Sequence, residues 1–164
     1  MRSLTALAVA AFLAAGAAEA HVYDWGTLQV GPAYSGGGTT AIGPIDDLYN
    51  FKLDATYDVH SAAVTLNLTN WTNIVGATVE LHSATDDSVL ATYSFEGTSG
   101  NTNYVKNLGS GSYYFEVAGT ANGTAGGLYT FTAAIAPVPE PETYALMGLG
   151  LVALVAARRK KAAK

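Results

Sequence analysis

The 164-residue chain contains no cysteine. That absence excludes disulfide staples, thiolate metal centres and a cysteine nucleophile together. Charge is also scarce, at 13% of residues, and unevenly spread. Between residues 21 and 136 ten Asp or Glu face only Lys52 and Lys106, a net charge of −8. So acidic a stretch argues against a nucleic-acid partner, because phosphate contacts need cations. Helical periodicity is missing there too, and no window supports a helix longer than a turn or two. Long apolar runs occur only at the two ends. What remains in the middle includes much of the chain's 10 Tyr, 5 Phe and 2 Trp. That is enough apolar bulk for one folded domain and too much for a disordered chain.

The ends read as addresses. Arg2 precedes an uncharged, largely apolar stretch from Leu4 to Ala18, then Ala18-Glu19-Ala20. A positive start, a short apolar run and a small-x-small finish predict a secretory signal peptide over residues 1–20, forming a signal helix. Cleavage after Ala20 leaves His21 as the mature N-terminus. At the other end, Pro137, Pro139 and Pro141 predict a stiff stalk over residues 137–142. Thr143 to Ala157 carries no charge and predicts a hydrophobic helix. Its length, about 22 Å at 1.5 Å per residue, falls short of the roughly 30 Å bilayer core. As a transmembrane helix it reaches across only with Tyr144 at one interface and the arginines snorkelling at the other. Arg158-Arg159-Lys160-Lys161, in a basic tail over 158–164, belongs on the cytoplasmic side as a stop. Residues 21–136 then lie across the membrane.

The run from Val138 to Lys161, with Pro139-Glu140-Pro141, an apolar helix and a basic stop in that order, resembles the PEP-CTERM sorting signal of Gram-negative bacteria. The resemblance implies recognition at Pro139, Glu140 and Pro141 by an exosortase, after passage through the general secretion machinery. It further implies transient anchoring in the inner membrane and release to the cell surface or exterior.

Residues 21–136 hold 16 Thr and 8 Ser, and their apolar period is two. Ile45, Asp47, Tyr49, Phe51 and Leu53 share one phase. So do Val64, Leu66 and Leu68; Ala77, Val79 and Leu81; Val89, Ala91, Tyr93 and Phe95; Tyr113, Phe115 and Val117; and Tyr129, Phe131, Ala133 and Ile135. Such sets predict half-buried strands. Turn clusters separate them at Gly36-Gly37-Gly38, Asn70 to Asn73, Asp86-Asp87, Gly97 to Asn101, Gly109-Ser110-Gly111 and Asn122 to Gly127. The expected fold is all-β: a single antiparallel β-sandwich, jelly-roll or immunoglobulin-like, of seven or eight strands over 21–136. The Ile45-x-Asp47-x-Tyr49-x-Phe51 strand, followed by Leu108 to Gly119 and Gly127 to Thr132, is similar to bacterial pre-peptidase C-terminal domains, which are small β-sandwiches. Asp24-Trp25-Gly26 with the Asp47 strand looks like the FxDxF family of PEP-CTERM proteins, Ile45 standing where that family has its first Phe.

Candidate chemistry is thin. His21, as an N-terminal residue, offers an amine and an imidazole to copper, with His60 or His82 to complete the set. His82, however, shares the solvent phase of its strand. Asp46/Asp47, Asp54/Asp58 and Asp86/Asp87 offer oxygen ligands for calcium, but no Asp-x-Asp-x-Asp-Gly loop exists. Asp47 lies in the inward phase, so its carboxylate needs backbone N–H partners or a structural cation. Gly109-Ser110-Gly111 is not a nucleophile elbow, and Gly36-Gly37-Gly38 is not a phosphate loop. No cofactor or catalytic set is expected. Trp25, Trp71, Tyr104, Tyr113 and Tyr114 are candidate faces for sugar stacking, with Trp71 and Tyr114 the best exposed. The sequence therefore predicts an exported, non-enzymatic surface or matrix protein associated with exopolysaccharide or biofilm. The alternative is a carbohydrate-binding module built on Trp71 and Tyr114.

Overall fold

The computed structural model describes residues 20–68, 70–95, 104–138 and 141–162. The proposed signal helix, including Ala18, lies outside them up to residue 19, as do the Gly97 to Asn101 cluster, Pro139 and Glu140. Among the described residues nine strands and one helix follow in order: β1 (Val22–Thr27), β2 (Tyr34–Thr40), β3 (Gly43–Leu53), β4 (Tyr57–Thr65), β5 (Ile74–Ser83), β6 (Val89–Ser94), β7 (Tyr104–Leu108), β8 (Gly111–Ala121), β9 (Gly127–Pro137) and α1 (Pro141–Ala162). The strands form a five-stranded sheet, β1-β3-β8-β5-β6, and a four-stranded sheet, β2-β9-β4-β7. Among the described residues the strand pairings are antiparallel except β1 with β3, which is parallel. The β-sandwich expected from the sequence is present, with more strands than the seven or eight expected.

The inner faces meet in an aromatic core. Tyr49, Phe51 and Phe115 from the larger sheet pack with Tyr129 and Phe131 from the smaller, and all five are buried. Phe131 is the hub, its ring centroid 5.0 Å from Phe115, 5.2 Å from Tyr49 and 5.9 Å from Trp25. These large rings decide what the neighbouring strand offers. Ala63 stands opposite Phe131 and Thr65 opposite Tyr129, so β4 turns its small residues inward. Val64, Leu66 and Leu68, expected on the inner face, are therefore exposed instead. Volume overrides hydrophobicity here, because a close-packed interior has room for one large ring per pair.

Gly36-Gly37-Gly38 is a strand segment and not a turn. It pairs with Phe131, Thr130 and Tyr129 within β2. A Cβ at Gly36 would sit 2.1 Å from the Tyr49 ring, so the bare backbone is what lets this edge strand close over that tyrosine. Gly126 is equally constrained, with φ +85° and a built Cβ only 1.9 Å from the Thr40 carbonyl oxygen. Gly126→Ala should cost at least the roughly 1–3 kcal/mol of a side chain held in the left-handed region. Gly109→Ala, with open space around its Cβ, should stay within about 0.5 kcal/mol. Urea denaturation of the two variants side by side checks this; equal midpoints would refute it.

The helix is longer than the apolar run. It starts at Pro141 and takes in Arg158 to Lys161. Proline suits the first turn of a helix, where its missing N–H has no partner to lose. Pro137 closes β9 and Pro141 opens α1, so these two prolines lie in regular elements. No helix among the described residues is long and apolar enough to cross a membrane. This corrects the expectation of a transmembrane helix: of the 22 residues in α1, only about 22 Å of axial length is free of charge, against roughly 30 Å required.

Candidate functional site

Two polar clusters occupy opposite faces of the larger sheet. The first is internal. Asp47 is buried, as its phase required, and Tyr129 donates its hydroxyl to Asp47 Oδ2. Tyr49 and Tyr129 hydroxyl oxygens are 2.8 Å apart. With the Tyr129 proton committed to Asp47, Tyr49 is the donor in that pair. The other carboxylate oxygen, Oδ1, takes the His21 backbone N–H at 3.3 Å and faces His21 Nδ1 at 3.1 Å. A tyrosine and a histidine thus supply most of what loop amides were expected to supply. Burial and the Asp47 carboxylate push the Tyr129 hydroxyl far above the usual tyrosine range. His21 and Asp47, the two weak metal candidates, meet each other here. His82 lies three strands away from β1 in the sheet order, about 14 Å at the usual strand spacing. His60 belongs to the other sheet, so the sets imagined for copper are not brought together.

The remaining acidic pairs serve turns and strand edges. Asp54 accepts from the Tyr57 hydroxyl at 3.0 Å, and Asp58 from Asn107 Nδ2 at 3.0 Å. Asp86 accepts from Ser88 Oγ at 2.8 Å in the β5–β6 connection, and hydrogen bonds from Ser83 and Ser88 hold its carboxyl below the usual range.

The second cluster is on the outer face. His82 has the outward phase expected of it, yet it is buried at 7% exposure. The covering group is Tyr114 of β8, stacked on the imidazole with centroids 4.6 Å apart and planes 9° from parallel. Tyr114 donates its hydroxyl to Asp87 Oδ1. Glu80 of β5 and Glu116 of β8 are direct cross-strand partners beside this stack. His82 Nε2 is 3.3 Å from Glu80 Oε2 and 3.7 Å from Glu116 Oε2. Burial, Asp46 and Glu80 raise the Glu116 carboxyl above its ordinary value, and His82 opposes them. Glu80-x-His82 was visible as a same-face pair on one strand. Glu116 was not, because its register against Glu80 is a property of the folded sheet.

The aromatic candidates separate. Trp25 packs on Tyr34, Tyr49 and Phe131, and Tyr113 packs on Phe51 while donating its hydroxyl to the Gly109 carbonyl at 3.1 Å. Trp71 is 62% exposed. Its loop is held in place by Thr124 N–H to the Asn70 carbonyl and Ala125 N–H to the Trp71 carbonyl, both 2.8 Å. Tyr114 lies near the other end of β8 from Ala121, the partner of Ile74 beside this loop. Those seven residues span roughly 23 Å of strand, and one face of Tyr114 is covered by His82. The structure does not bring the two together as one platform.

The C-terminal segment decides the wider context, through its order of prolines, apolar helix and terminal cations. Residues 137–160 match the PEP-CTERM protein-sorting motif. The motif implies processing by an exosortase and export from the cell. No curated protein matches the chain. Among solved structures, the chain is similar to the pre-peptidase C-terminal domain of a collagenase from Bacillus anthracis, at 20% identity over 73% of this chain and 97% of that one, with a TM-score of 0.45. It is also similar to PliG, a periplasmic inhibitor of g-type lysozyme from Aeromonas hydrophila, at 10% identity over 71% and 99% of the two chains, TM-score 0.42. A third likeness is to the CUB1-EGF-CUB2 domains of rat MASP-1, at 12% identity over 74% of this chain and 45% of that one, TM-score 0.46.

Proposed function

We propose that this is an exported, non-enzymatic β-sandwich protein that its C-terminal segment delivers to the cell surface, where it serves as a component of the exopolysaccharide layer. The sorting motif over residues 137–160 carries the reading. The body suits the role: an acidic, Thr- and Ser-rich surface hydrates well beside a polysaccharide and repels nonspecific anionic partners. Its core is aromatic and needs no disulfide, so the fold does not depend on the redox state outside the cell. Deleting residues 137–164 should leave the protein in the periplasm and weaken flocculation or biofilm cohesion. Cell fractionation with immunodetection reads the first effect, and a sedimentation assay the second. An unchanged distribution would overturn the sorting role; correct sorting with unchanged cohesion would overturn the matrix role alone.

A further inference from the structure

We propose that Glu80, His82 and Glu116 form a binding site for a single divalent transition-metal ion, of which Zn²⁺ is the type, on the outer face of the larger sheet. The argument begins with the imidazole. His82 Nδ1 lies 3.4 Å from the Asp87 backbone carbonyl oxygen. A carbonyl only accepts, so a hydrogen on Nδ1 suits that contact and leaves a bare lone pair on Nε2. Nε2 is buried and has no hydrogen-bond partner, although the side chain itself is only 9% exposed. What Nε2 faces is two carboxylate oxygens. Three acceptors turned toward one another repel unless a cation lies between them, and Glu80 directly opposite Glu116 is already an unfavourable cross-strand pair.

The two spacings from the imidazole fit a metal. All three ligand atoms lie within 4.8 Å of one another. A tetrahedral ion with bonds of about 2.0–2.1 Å places its ligands about 3.3 Å apart. The two distances from Nε2 are 3.3 Å and 3.7 Å. The outer supports are those of a metal-bound histidine, with Nδ1 on a carbonyl and the ring clamped under Tyr114. Thr92 Oγ1 donates to Glu80 Oε1 at 3.4 Å, leaving Oε2 to face the imidazole. One imidazole among the donors favours zinc-like ions over calcium, which takes oxygen ligands. With Glu80 and Glu116 each about one-third exposed, a fourth coordination position opens to solvent for water or another oxygen donor.

The test is calorimetric titration of the untagged full chain with Zn²⁺, with Co²⁺ absorbance reporting coordination geometry. One ion per chain should bind, with the strong visible bands of a tetrahedral Co²⁺ site. His82→Gln should weaken binding by at least about 100-fold, more than the roughly 10–100-fold loss on removing an outer hydrogen-bond partner. Glu116→Gln keeps the shape of the site and should also weaken binding, which covers the case where His82→Gln fails to fold. His21→Ala and His60→Ala should bind as the parent does. The proposal is overturned by Zn²⁺ affinity no tighter than millimolar, by equal affinity in Glu116→Gln, or by loss confined to His21→Ala. An imidazolium at His82 whose ¹⁵N signals Zn²⁺ does not change overturns it as well, because a proton then fills the gap.

Discussion

Replacing Phe131 by alanine should lower the folding free energy by about 3–5 kcal/mol, the range for removing a fully buried aromatic ring. Phe131 is fully buried and its ring meets Trp25, Tyr49 and Phe115, so both sheets lose their common contact at once. The residues opposite cannot fill the void, because Ala63 is the cross-strand partner on β4. Against a total stability of about 5–15 kcal/mol for a domain this size, the loss is large enough to unfold a sizeable fraction of the chain near its growth temperature. Urea denaturation should show a lower midpoint with an unchanged slope. Phe131→Leu keeps most of the volume and should lose less than half as much. A loss below about 1 kcal/mol for the alanine variant would mean the two sheets collapse onto the gap.

Alkaline pH should unfold the protein, and the order of events is specific. Burial pushes the Tyr49 and Tyr93 hydroxyls each up to about 12. Tyr129 is displaced further in the same direction, by burial and by the Asp47 carboxylate. A group whose folded value lies above its unfolded value near 10 stabilises fully below pH 10. Above it the unfolded chain gives up protons that the folded chain retains, so stability falls as pH rises from 10 toward 12. Absorbance near 295 nm follows the ionisation of the tyrosines. Tyr49, Tyr93 and Tyr129 should ionise only with the loss of near-ultraviolet circular dichroism. Tyr129→Phe should remove its share of that slope. It should also cost about 1–3 kcal/mol at neutral pH, because Asp47 then keeps a buried oxygen without its donor. If all tyrosines titrate together near pH 10 in a still-folded chain, the buried hydroxyl pair is not sealed from solvent as described.

Much of this was legible beforehand. The alternation of Ile45, Asp47, Tyr49 and Phe51 placed four side chains correctly, including a carboxylate turned inward, because strand periodicity is local. The tail was legible for the same reason: prolines, an apolar run and four cations are contiguous. Val64, Leu66 and Leu68 misled because the choice between them and Thr65 is made by Tyr129 and Phe131, some 65 residues further along. Gly36 to Gly38 misled because a glycine run has the same composition in a turn as in a strand pressed against a tyrosine. His82 had the right phase and the wrong exposure, since its cover, Tyr114, comes from a neighbouring strand. Glu116 joined the outer cluster for the same nonlocal reason.

The strand order has a consequence for when the protein folds. β8 lies between β3 and β5, and β9 lies between β2 and β4. Each sheet is thus halved until a late segment arrives, and few pairings join strands adjacent in sequence. Such nonlocal topologies are slow to form. A chain threaded N-terminus first through a narrow pore would have little it could complete early, and would emerge pliable. Pro137, the final residue of β9, is also the first residue of the sorting match. The segment that completes the smaller sheet and the segment that holds the address emerge together, so maturation of the body and reading of its destination coincide in time.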